Sequence, residues 1–126
     1  MMGYLIVFLG AGIGGALRHG TNLLAARLVG TSFPYGTLAV NILGSMIMGA
    51  FASYFAFRGG DSQHWRLFLA TGILGGFTTF STFSLDTAVL WERGDLMGMA
   101  LYVLSSVSLS ILALFLALWL GRNLLA

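Results

Sequence analysis

A chain of 126 residues that is 58% hydrophobic and only 8% charged is not a soluble domain, in which about a quarter of residues carry charge. The formal charge of +2 sits near the ends of apolar runs, so it offers no surface for nucleic acid. Cysteine is absent, which excludes disulfides and thiolate metal sites.

The apolar runs have the length a bilayer demands, roughly 20 residues at 1.5 Å rise. Four fit: Tyr4–Val29, Tyr35–Phe57, Leu67–Leu90 and Leu96–Leu120. The expectation is an all-α integral membrane protein with one domain over residues 1–126. The first run is too long for a signal peptide and lacks a basic leader, so it reads as a retained span. Gly30–Pro34, Arg58–His64 and Glu92–Asp95 read as short connections.

In span one, Arg18 lies roughly 21 Å along the helix. A charge at that depth either snorkels to the headgroups or faces protein and water, where it would attract an anion at the mouth of a path. Gly10, Gly14, Gly15, Ser45, Gly49, Gly72 and Gly76 supply the small-residue spacing that lets helices approach closely.

Span two carries Thr37, Asn41 and Ser45 on one face. The Asn41 amide has two donors and two acceptor lone pairs to satisfy in lipid. It serves either as a link between helices or as a donor to a permeating species.

Span three is the most informative. Residues 72–84 read Gly-Ile-Leu-Gly-Gly-Phe-Thr-Thr-Phe-Ser-Thr-Phe-Ser, with hydroxyls at Thr71, Thr78, Thr79, Ser81, Thr82 and Ser84. Gly75-Gly76 followed by Thr78-Thr79 joins a flexible backbone to β-branched residues, so a break near the centre of the third helix is expected. Freed carbonyls in a broken membrane helix need partners, often an ion. A small hard cation suits such oxygens. Phe80 and Phe83 flank the break, and their electropositive ring edges can line an anion path without formal charge.

Span four presents Tyr102, Ser106 and Ser110 on one face, a ladder of hydroxyls; Ser105 and Ser108 fall off that line. No lysine ends the glycine-rich segment as a phosphate loop requires, and no catalytic pair or triad is present. An enzyme is not expected.

Arginines near the span ends number three on one side and two or three on the other, so the positive-inside rule does not choose an orientation. Either the signal is read by other means, or the chain inserts both ways and pairs head to tail about a two-fold axis in the membrane plane.

The chain resembles the Fluc (CrcB) family of fluoride channels. The resemblance is carried by Tyr-Gly-Thr-Leu-Ala-Val-Asn at 35–41, Gly-Gly-Phe-Thr-Thr-Phe-Ser-Thr-Phe-Ser at 75–84, the late Arg18 and the Tyr102/Ser106/Ser110 ladder. It implies a dual-topology antiparallel homodimer in the bacterial inner membrane, surrounded by lipid, with two fluoride pores. It also implies a structural Na⁺ at the dimer centre, held by backbone carbonyls of Gly75 and Thr78. Phe80 and Phe83 match the rings that contact fluoride edge-on, and Asn41 matches the amide that orients them. Tyr102, Ser106 and Ser110 match the polar track, with Thr37, Thr79, Ser81 and Thr82 as neighbouring hydroxyls and Arg18 as the vestibule cation. Two residues depart from the pattern: Asp86 stands where many relatives have glutamate, so no role passes to it, and Phe77 replaces an aliphatic.

Rival classes make different demands. A small four-span multidrug antiporter needs an intramembrane acid in span one, where this chain has Arg18. A non-transporting assembly subunit would scatter its polar groups instead of aligning them on three helices. Chloride or formate conduction differs from fluoride conduction only in selectivity.

Overall fold

The computed structural model describes residues 1–57 and 63–125; Arg58 and Asp61 of the expected polar loop lie outside them. Four spans long and apolar enough to cross a membrane run Met2–Val29, Tyr35–Phe57, Gln63–Glu92 and Leu96–Leu125. They fall where the sequence put them, extended by a few residues at several ends. Helix α1 is Met2–Val29 and α2 is Tyr35–Phe57. The third span is composite: α3 at Gln63–Arg66, a π-helical stretch at Leu67–Leu74, α4 at Gly75–Phe77 and α5 at Ser81–Glu92. Helix α6, Leu96–Leu125, completes the bundle. His64, expected in a loop, lies in α3.

The ends are set by local chemistry. Gly30 terminates α1 with φ 85° and sends its N–H to Ala26 O. At the end of α5, Gly94 (φ 77°) donates to Trp91 O at 3.0 Å and Asp95 N–H to Leu90 O at 3.0 Å. That pair is a Schellman closure, which satisfies carbonyls a helix end would otherwise orphan. Asp95 then caps α6 by accepting the Gly98 N–H at 2.9 Å.

Large buried apolar side chains are few: Val40, Leu74, Leu90 and Tyr102, with Ala117. Lipid tails are as apolar as leucine, so cohesion must come from close backbone approach. Helix α1 packs on the π-helical stretch and α4, and α2 packs along α6. A Cβ on Gly10 would meet Gly72 Cα at 2.9 Å, and one on Gly76 would meet Ala11 Cα at 2.9 Å. One on Gly14 would collide with Ile73 O, and one on Gly49 would reach Ala117 Cβ at 2.9 Å. Gly15 is a correction to the small-residue expectation, because it faces open space.

The third helix breaks, but not at its glycines. Gly75 and Gly76 stay helical; Thr78 turns to extended backbone (φ −84°, ψ 156°) and helix resumes at Ser81. Gly44 of α2 lies against this break, where an added Cβ would collide with the Thr78 methyl and meet the Phe77 ring at 3.4 Å. Overpacking such a contact costs about 1–3 kcal/mol. The Gly44→Val variant is therefore expected to unfold at a lower temperature in detergent than the wild type. An unchanged midpoint would show that the contact has slack.

Candidate functional site

The break is held open by Asn41. Its Oδ1 accepts the Thr79 N–H at 2.9 Å, and its Nδ2 donates to Thr79 O at 3.0 Å. In a continuous helix the Thr79 N–H would bond Gly75 O, four residues back. Likewise the Thr82 N–H, which would bond Thr78 O, goes instead to Thr79 Oγ1 at 3.1 Å. Neither the Gly75 nor the Thr78 carbonyl accepts a hydrogen bond among the described residues. Uncharged oxygens freed at mid-span are a donor set a hard monovalent cation would accept. Those two residues thus fit the carbonyl site expected of them.

Asn41 also forms one wall of a groove of about 440 Å³, with Ser45, Thr78, Thr79, Phe80, Phe83, Ser106 and Ser110 around it. Phe80 and Phe83 lie side by side there, centroids 5.5 Å apart and planes tilted 50°. Phe80 is 77% exposed although it sits at mid-span, so in a single chain its ring lacks a cover. On the facing helix, Ser106 Oγ and Ser110 Oγ are buried without a hydrogen-bond partner among the described residues.

That absence separates them from other span hydroxyls. Thr21, Thr78, Ser84, Thr87 and Ser105 each donate to the carbonyl four residues back. Their protons are spent inside their own helices. The Ser106 and Ser110 protons are not.

A second cavity, of about 270 Å³, opens where the α1–α2 link, α5 and the α5–α6 turn meet. Asn22, Thr37, Thr82, Asp86 and Arg93 line it, with Phe33 from the link. Tyr102 stands between this mouth and the groove. Its hydroxyl donates to Asp86 Oδ2 at 3.0 Å, and its ring meets Phe83 with centroids 5.2 Å apart.

The structure thus sorts the expected residues. Asn41, Thr79, Phe80, Phe83, Ser106 and Ser110 share the groove, while Thr37 and Thr82 line the mouth. Ser81 is exposed and approaches Thr79 Oγ1 at 3.3 Å. Arg18 is partly exposed on α1 and lines neither cavity.

Sequence reasoning passed over Asn22, Arg93 and Phe33, and gave Asp86 no role. For Asn22 a signal existed: it follows Arg18 by four residues on the same helical face. For Phe33 and Arg93 none did, because both come from connections.

Four apolar spans and a channel-like groove of unspent donors define an integral membrane protein of the small transport class. The chain matches the family described as "CrcB-like protein, Camphor Resistance (CrcB)" over residues 5–119. It is similar to a protein of Nitrobacter hamburgensis named "Fluoride-specific ion channel FluC 2", 54% identical, covering 98% of this chain and 99% of the relative. It is 59% identical to "Fluoride-specific ion channel FluC" of Rhodopseudomonas palustris, over 96% of this chain and 98% of that protein. A protein of the same name in Methylobacterium nodulans is 63% identical over 88% of this chain and 89% of its own length. The chain belongs to the CrcB family.

Proposed function

We propose that this protein is a fluoride-selective channel through which cytoplasmic fluoride leaves the cell by passive electrodiffusion. The observation that carries the reading is the pair of buried, unpartnered hydroxyls, Ser106 and Ser110, facing Phe80, Phe83 and Asn41 across one groove. Fluoride is small, tightly hydrated and a strong acceptor, so a narrow path must replace its water with donors. Hydroxyls, an amide and ring edges do that without a fixed cation that would trap the ion. The names of the relatives support the same ion.

The working unit in this reading is an antiparallel homodimer of dual topology in the inner membrane, with two pores. The exposed Phe80 ring at mid-span supports it, since a second chain would cover that surface. The released carbonyls of Gly75 and Thr78 support a structural Na⁺ shared between two breaks. Bound there, the cation would neutralise carbonyl dipoles and pin the two chains together. Arg18, which lines neither cavity of the single chain, is assigned the vestibule cation by family resemblance alone, and Thr37, Thr79, Ser81, Thr82 and Tyr102 complete the hydroxyl lining.

Purified protein in liposomes loaded with potassium fluoride is expected to release fluoride once valinomycin opens a counter-ion path, with chloride far slower. Equal rates for the two halides would overturn the assignment. In the same vesicles, a terminal tag should be cleaved by external protease in only part of the population. Complete cleavage or complete protection would overturn the dual topology.

A further inference from the structure

Tyr102 is fully buried, and what holds its ring decides how the mouth connects to the groove. On the groove side its neighbour is Phe83. On the mouth side it is Phe33, whose ring meets Tyr102 in a T-shaped contact, planes at 88° and centroids 5.6 Å apart. The series continues outward, because Phe33 also packs on Tyr35 with centroids 4.9 Å apart.

Phe33 belongs to a link that is itself held in place. The Tyr35 N–H donates to Phe33 O at 2.8 Å, and Pro34 fixes the intervening backbone. From the α5–α6 turn, Arg93 Nη1 donates to Ser32 O at 3.2 Å, across the mouth. A ring presented from a pinned link is a fixed surface for Tyr102 to lean against.

We propose that Phe33 is a positioning residue for ion selection: it clamps Tyr102 against Phe83, aims the phenol at Asp86 and keeps the passage from mouth to groove at the width of a dehydrated small anion. The proposal rests on the channel reading above. Phe33 need not touch the ion; it acts through Tyr102. Without it, the Tyr102 ring has a void of the mouth pocket on one side and can tilt into it. A tilted ring widens the passage and takes the phenol off its partner. Larger, more weakly hydrated halides then gain relative to fluoride.

The test reads a ratio, which the amount of folded protein does not change. Fluoride and chloride efflux are measured from the same proteoliposomes for wild type, Phe33→Leu, Phe33→Ala and Phe33→Tyr. A T-shaped aromatic pair is worth a factor of about two to ten in an equilibrium. The fluoride-to-chloride flux ratio is therefore expected to fall about fivefold in the leucine and alanine variants, while tyrosine keeps it near the wild-type value. A leucine variant as selective as the wild type would overturn the proposal, as would a tyrosine variant no better than leucine. A loss that reduces both fluxes equally marks a role in folding alone and overturns it too. Wild-type vesicles that release no fluoride would instead bring down the channel reading, and this proposal with it.

Discussion

Asn41→Leu is expected to cut fluoride flux about a hundredfold or more, although leucine keeps the branched shape of asparagine. The amide makes both of its hydrogen bonds to the backbone of one residue, Thr79, at 2.9 and 3.0 Å. Leaving a buried backbone donor and acceptor unpaired costs about 1–3 kcal/mol each. The chain has a way to recover part of that loss. With Oδ1 gone, the Thr79 N–H can return to Gly75 O and continue the helix through the break. Healing would rotate Phe80 and Phe83 away from the groove and withdraw the Gly75 carbonyl from any cation. Of those losses, about 2.7 kcal/mol in the barrier suffices for the hundredfold effect. Initial efflux rates from liposomes check it. A leucine variant conducting like the wild type would mean that the break is held by something other than this amide.

The break illustrates what the sequence made legible and what it did not. Helix-breaking composition at 75–79 was readable, and an interruption was expected there. The chain opens within that stretch at Thr78 and not at the glycines, for a reason that only packing supplies. Gly76 lies against Ala11 and Gly72 against Gly10, so these glycines serve close approach and keep helical backbone. What opens the chain is a hydrogen bond between residues 38 apart in sequence. The π-helical stretch at Leu67–Leu74 had no local signature either; it is an apolar run with Thr71 as its one polar side chain. The hydroxyl ladder was legible because Tyr102, Ser106 and Ser110 obey helical periodicity within one element. The mouth was not, since Phe33 and Arg93 reach their partners from loops 61 or more residues away in sequence. Asp86 was visible as an isolated acid, but its partner Tyr102 lies on another helix. Periodicity reports which face a residue occupies and says nothing of the helix that will meet that face.

Ser106→Ala with Ser110→Ala is expected to lower fluoride flux while leaving the protein as stable as before, or more so. Two roles for these serines make opposite demands. If they bonded neighbouring helices, alanine would remove favourable contacts and lower the unfolding temperature. Both oxygens are buried without a partner among the described residues, so alanine removes an unsatisfied polar group. Alanine is also the better helix former, by a few tenths of a kcal/mol up to about 0.5 kcal/mol at each site. Conduction should move the other way. A hydrogen bond to a charged acceptor is worth about 1.5–3 kcal/mol, so each lost donor slows passage of a dehydrated anion by about ten- to a hundredfold. The double variant will fall short of the product, because neighbouring donors one turn apart share the same ion and their effects couple. Flux and unfolding temperature measured on one preparation read both demands together. A falling midpoint with unchanged flux is the signature of helix adhesion and would remove these serines from the path. A raised or constant midpoint with slow efflux is what an orphaned hydroxyl must give when its missing partner is the ion that moves through.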